Sequence, residues 1–177
     1  MEILISLHRV LLCMDLFILR HGKAGKSSGG PDDAARALTR KGEKELKRIA
    51  QWMKAQEFCF DIIATSPLQR ALETATVIAA VLGQDDKLTT WDELAPGGDP
   101  DTVCYKAVQE GNDARVLVIG HEPGLSRLIS RIISGNPDSS MIIAKGGLAK
   151  IRNYSFTTRP SGDLQWLLTP GQILSMR

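Results

Sequence analysis

From Leu16 to Leu19 the chain reads Leu-Phe-Ile-Leu, apolar at every position, and then breaks onto Arg20, His21 and Gly22. A strand of that composition must be covered on both faces, as a central strand of a parallel sheet is. Two further runs have the same form, Asp61–Thr65 (Asp-Ile-Ile-Ala-Thr) and Arg115–Gly120 (Arg-Val-Leu-Val-Ile-Gly). Between them the apolar period lengthens to that of a helix. Leu46, Ile49, Ala50 and Met53 fall on one face of a helix expected from Arg40 to Gln56. A second helix is expected from Ser66, with Ser66 as cap, Pro67 in the first helical position, Gln69 completing a capping box and Gly83 as the stop. Asp99 and Pro100 open a third, and the stretch from His121 to Gly135 supplies a loop and a fourth. From Met141 onward strands are expected at 141–147, 148–154 and 164–170, joined by Gly, Pro and Ser. Strand and helix in alternation predict an α/β three-layer sandwich, its central sheet mostly parallel and finished by antiparallel strands at one side.

At 177 residues the chain suits one domain, taken as residues 14–177. The segment Met1–Cys13 is expected to be an N-terminal extension without a catalytic part. It is apolar but short, is interrupted by His8 and Arg9, and lacks the pattern of a signal peptide or a membrane span. An apolar fraction of 43%, a charged fraction of 24% and a net charge of +2 suit a globular cytoplasmic protein and argue against nucleic acid or membrane as partner. Cys13, Cys59 and Cys104 are odd in number and lack metal-ligand spacing, so they read as free thiols.

Each clear strand is followed by a residue suited to anion chemistry: Arg20 and His21 after the first, Arg70 in the first turn of the helix after the second, and His121 after the third. In an open parallel sheet these ends converge on the ligand crevice. Arginine presents a planar fork of donors to phosphoryl oxygens. One histidine can attack phosphorus while the other donates to a transferring oxygen. Taken singly, each has a plainer reading. A histidine after a strand can be a satisfied loop residue, Arg70 can pair with Glu73 on the surface, and Gly22 can relieve a turn of positive φ. Two histidines can also ligate zinc, but a third ligand is missing and adjacent arginines repel a cation. Gly25–Ser28 (Gly-Lys-Ser-Ser) falls short of a nucleotide-binding loop, because Arg20 holds the position of its first glycine. No cofactor is therefore expected. The polar loop from Lys23 to Asp33 exceeds an ordinary connection and is expected to help admit substrate.

The segments 16–24, 35–53, 61–79, 91–99 and 116–129, in that order, resemble the histidine phosphatase superfamily, to which the cofactor-dependent phosphoglycerate mutases belong. The short interval Leu82–Asp113 and the Asp-Glu-Leu-Ala-Pro-Gly-Gly-Asp segment are most similar to the SixA group of phosphohistidine phosphatases. The resemblance implies a phosphoglycerate mutase-like fold. It also implies His21 as the nucleophile that becomes phosphohistidine, Arg20 and Arg70 as phosphate-binding arginines, and His121 as the second histidine of the pocket. It further implies a carboxylic acid for the leaving group, for which Glu93 is the best positional match, Asp92 the second and Glu122 a remote third. Glu93 reads equally well as a capping carboxylate, and members of the SixA group lack the usual strong acid. The expected activity is hydrolysis of phosphohistidine on a phosphotransfer or histidine-kinase-type protein. A small-metabolite or sugar phosphate monoesterase is the alternative, and a phosphoprotein-binding pseudoenzyme comes from a different class.

Overall fold

The computed structural model describes residues 14–26, 33–111, 113–138 and 141–176. Met1–Cys13 and residues 27–32 of the polar loop lie outside them. Six strands form one sheet: β1 (Met14–Arg20), β2 (Ile62–Thr65), β3 (Leu88–Thr90), β4 (Arg115–Gly120), β5 (Leu148–Phe156) and β6 (Pro160–Leu168), in the order β3-β2-β4-β1-β5-β6. β1, β2, β3 and β4 run parallel, and β5 and β6 close one side antiparallel. Five helices cover the faces: α1 (Arg40–Ala55), α2 (Gln69–Leu82), α3 (Pro100–Gln109), α4 (Gly124–Ser134) and α5 (Pro170–Ser175).

β1 shows why its sequence lacks alternation. Phe17 and Leu19 point to one face, among Leu46, Ile49 and Met53 of α1, Ala71, Ala75 and Ile78 of α2, and Ile173 of α5. Leu16 and Ile18 point to the other, among Val103 and Ala107 of α3 and Leu125, Leu128 and Ile129 of α4. All four β1 side chains are fully buried, so each face of the sheet has its own core and the architecture is the expected three-layer sandwich. No helix among the described residues is long and apolar enough to cross a membrane.

Three local expectations need correction. α2 starts at Gln69, not at Ser66, with Leu68 as an extended N-cap that makes no side-chain capping bond. Ser66 Oγ lies 2.8 Å from His121 Nε2 and accepts weakly from Leu68 N–H, while Gln69 Nε2 donates to Glu73, so the capping box does not form. The stretch 141–147 is not a strand, because its peptide groups bond to the end of β1 and to Glu122 instead of to a ladder. Gly22 does not have positive φ. Its requirement is space, since a Cβ there would come within 2.5 Å of Leu46 Cδ1. Two elements escaped the sequence reading: the three-residue β3, and α5, whose capping box Thr169-Pro-Gly-Gln172 was legible.

One contact fixes the chain just beyond His21. The carbonyl of Lys23 accepts from Thr39 N–H at 2.9 Å and from Thr39 Oγ1 at 3.1 Å, and Thr39 caps α1. Gly42 in the first turn of α1 lies so close that a Cβ would meet the Lys23 carbonyl oxygen at 2.2 Å. Alanine at 42 gains helix propensity but must push backbone away from backbone. Gly42→Ala is therefore expected to lower stability by about 1–3 kcal/mol in urea titration. A stabilised variant would show that Lys23 is not clamped there.

Candidate active site

The register of the parallel strands assembles the site. Arg20 of β1 stands opposite Gly120 of β4, and Thr65 of β2 opposite Ile119. Pairing continues one residue further, from His21 N–H to the Gly120 carbonyl at 3.1 Å and from Ser66 N–H to the Ile119 carbonyl at 2.9 Å. His21, Ser66 and His121 therefore leave the sheet together. The His21 and His121 rings lie 4.9 Å apart between centroids, inclined at 51°.

His21 is only 4% exposed. Its Nδ1 lies 2.7 Å from the Gly22 carbonyl oxygen, which can only accept. Nδ1 thus carries the hydrogen and Nε2 keeps its lone pair. Gly22 is held in turn: its N–H donates to Thr74 Oγ1 at 3.1 Å, and that hydroxyl donates to the Arg70 carbonyl at 2.6 Å. Thr74, fully buried, links the nucleophile candidate to α2.

Arg20 Nη1 donates to the Ile143 carbonyl at 2.6 Å. Arg70, 3% exposed, donates through Nη1 to the Asp33 carbonyl at 2.7 Å and pairs through Nη2 with the Asp33 carboxylate at 3.1 Å. The surface pair weighed for Arg70 does not form, since Glu73 accepts instead from Leu38 N–H and Gln69 Nε2. Six buried side-chain polar atoms among the described residues lack a partner, and three of them are Arg20 Nε, Arg70 Nε and His121 Nδ1. Unsatisfied buried donors are costly, and such a cluster marks a place for an acceptor-rich ligand.

Burial chiefly pushes the His21 pKa down to about 4, with Arg70, Arg20 and Lys145 acting in the same direction against the Gly22 hydrogen bond. Burial likewise drives His121 to about 3, assisted by His21, Arg70 and Arg20 and opposed by Asp33. Both imidazoles are therefore neutral at neutral pH. An anion between them and the arginines would reverse the electrostatic part of both shifts.

The acid candidates behave differently. Glu93 lies in a 3-10 turn, Asp92–Leu94, and its carboxylate accepts from Lys106 Nζ of α3 at 2.7 Å. That hydrogen bond holds its pKa below the usual carboxylate range. Glu93 and His121 line one small cavity of about 20 Å³, room for a single water. Asp92 is exposed. Glu122 has both oxygens occupied, accepting from Ile143 N–H and from Ser126. Among the described residues no three His, Cys, Asp or Glu side chains group as a metal site requires. Thr74, Ser66, Lys145 and Asp33 were not singled out from sequence as parts of the site. Thr74 was accessible to such reading, because it stands four residues beyond Arg70 and so shares its helix face.

Residues 16–96 match the model of the histidine phosphatase superfamily, branch 1. An uncharacterized protein of Picosynechococcus sp. (strain ATCC 27264 / PCC 7002 / PR-6) is 32% identical over 143 residues, covering 79% of this chain and 86% of that protein. The phosphohistidine phosphatase SixA of Escherichia coli (strain K12) is 27% identical over 159 residues, covering 89% of this chain and 94% of SixA. The solved structure of the protein histidine phosphatase SixA complexed with tungstate superposes with a TM-score of 0.77 at 27% identity, covering 89% of this chain and 98% of that one. The chain belongs to the histidine phosphatase superfamily. Within it, this is a hydrolase related to SixA.

The two depressed histidines carry a signature in stability. Their folded values, about 4 and about 3, lie below the roughly 6.5 of an unfolded imidazole. Between those limits the unfolded chain binds protons that the folded chain does not, so stability is full above about pH 6.5 and is lost as pH falls toward 4. Thermal midpoints should fall across that window, and the combined His21→Asn, His121→Asn change should flatten the slope. An unchanged slope would show that these imidazoles are not buried neutral.

Proposed function

We propose that this chain hydrolyses phosphohistidine on a phosphotransfer or histidine-kinase-type protein, through a phosphoryl group carried transiently on His21. The observation that carries the reading is the hydrogen bond from His21 Nδ1 to the Gly22 carbonyl, which leaves Nε2 as a buried, unprotonated nucleophile beside two guanidinium groups. In the first step Nε2 attacks phosphorus, the His21–phosphorus bond forms and the bond from phosphorus to the leaving nitrogen breaks. Arg20 and Arg70 hold the non-bridging oxygens, and His121 steadies the charge on the transferring group. Water then attacks the phosphoryl group, releases inorganic phosphate and returns the electron pair to Nε2.

The state of Glu93 favours this substrate over a metabolite ester. An alkoxide whose conjugate acid has a pKa of about 15 needs a proton in the transition state, and a carboxylate paired with Lys106 is ill-suited to supply one. A phosphorylated imidazole protonated on its far nitrogen leaves as neutral imidazole, whose conjugate acid has a pKa of roughly 6.5.

Two variants test the reading. His21→Ala should abolish the acid-labile phosphoenzyme and turnover together. Glu93→Gln should change kcat/KM on a phosphohistidine protein by roughly tenfold or less, whereas loss of a working general acid costs about 10²–10⁴ on alkyl phosphates. Fast hydrolysis of a single sugar or metabolite phosphate, joined to a large Glu93→Gln effect, would replace this substrate by the ester.

A further inference from the structure

Glu122 follows His121 directly, yet its carboxylate is turned to other work. Oε1 accepts from Ile143 N–H at 2.6 Å, and Oε2 accepts from Ser126 Oγ at 2.6 Å and from Ser126 N–H at 3.3 Å. Ser126 lies in the first turn of α4, so one oxygen is anchored on a helix while the other grips the irregular stretch 141–147. Ile143 is used from both sides. Its N–H is held by Glu122, and its carbonyl accepts the 2.6 Å hydrogen bond from Arg20 Nη1. Its side chain is fully buried, in contrast to Ile142 beside it, which is 83% exposed. Further along, Gly146 N–H donates to the carbonyls of Arg20 and His21 at 3.0 and 3.1 Å.

The chain of contacts runs Ser126, Glu122, Ile143, Arg20. Without its first two members the Ile143 carbonyl would rest on a segment that has no strand ladder of its own. A guanidinium bound to a wandering carbonyl cannot keep its fork in one place, and displacement of about 1 Å can cost a hundredfold in a reacting complex. The carboxylate also acts on Arg20 through space, opposing the effect of burial on that guanidinium.

We infer that Glu122 is a positioning residue, bracing Ile143 so that its carbonyl aims Arg20 and leaves Arg20 Nε for a phosphoryl oxygen. This rests on the reading that the pocket binds a phosphoryl group. It assigns Glu122 no contact with substrate and no proton to transfer.

Tungstate serves as the probe, since its binding to the full chain can be followed by calorimetry without turnover. Glu122→Ala should weaken tungstate by about tenfold, and Arg20→Ala by at least as much. The double variant should match Arg20→Ala within about twofold, because both changes act through one guanidinium. Glu122→Gln keeps an acceptor oxygen for Ile143 N–H and should stay within about threefold of the native chain. Equal losses for Gln and Ala would make the role one of charge and overturn the brace. Additive losses in the double variant would overturn it as well. If Glu122→Ala does not fold, Ser126→Ala takes its place: roughly two- to fivefold weaker binding in the native background and none in Arg20→Ala supports the brace, and an equal loss in both refutes it. A native chain that binds no tungstate defeats this inference and the functional reading together. One that binds it with the expected pattern but never forms phosphohistidine on His21 defeats the functional reading alone.

Discussion

Two arginines and two histidines at one end of a sheet repel one another, and burial adds to the cost of charging any of them. The structure around the strand ends follows from how that repulsion is handled. The histidines stay neutral, so only the guanidinium groups bring full charge. Arg70 is met by the Asp33 carboxylate and Arg20 by the Ile143 carbonyl, each engaging part of a fork and leaving a buried Nε without a partner. A phosphoryl group arriving there would supply the negative charge that the protein withholds.

Backbone groups near the site are diverted from regular structure to hold these side chains. Ser66 gives up a helix cap to meet His121, the Gly22 carbonyl fixes the tautomer of His21, and residues 141–147 surrender a ladder to the end of β1. This explains what the sequence could and could not disclose. Three of the four parallel strands, β1, β2 and β4, were legible because each is a short apolar run buried on both faces, and most of the helices because their apolar residues recur with one period. Arg20, His21 and His121 were legible as candidates because they stand directly at strand ends, and Arg70 because it lies in the first turn of the helix after β2.

The failures fall where tertiary demands outweigh local preference. Ser66-Pro67-Leu68-Gln69 has a strong capping pattern, but its hydroxyl is taken by a histidine 55 residues away. Met141 to Gly147 has the composition of a strand, but its carbonyl and amide groups are claimed by Arg20, His21 and Glu122. Neither outcome can be read from a window of neighbouring residues. The role of Glu93 was undecided for a similar reason. Its partner Lys106 lies on the next helix, thirteen positions along, where sequence gives no sign of the pairing.

That pairing has a consequence for the choice of leaving group. Lys106 lies in the last turn of α3, its ammonium also 5.6 Å from the centre of the buried Trp91 ring, and nothing else among the described side chains ties Glu93 down. A neutral residue at 106 would free a carboxyl group on the wall it shares with His121. Lys106→Met is expected to raise turnover of alkyl phosphates relative to phosphohistidine, and a kcat/KM ratio unmoved by the change would refute this. Selectivity between nitrogen and oxygen leaving groups then need not be set by the residues that hold the phosphate: one lysine outside the pocket would govern it through its grip on Glu93.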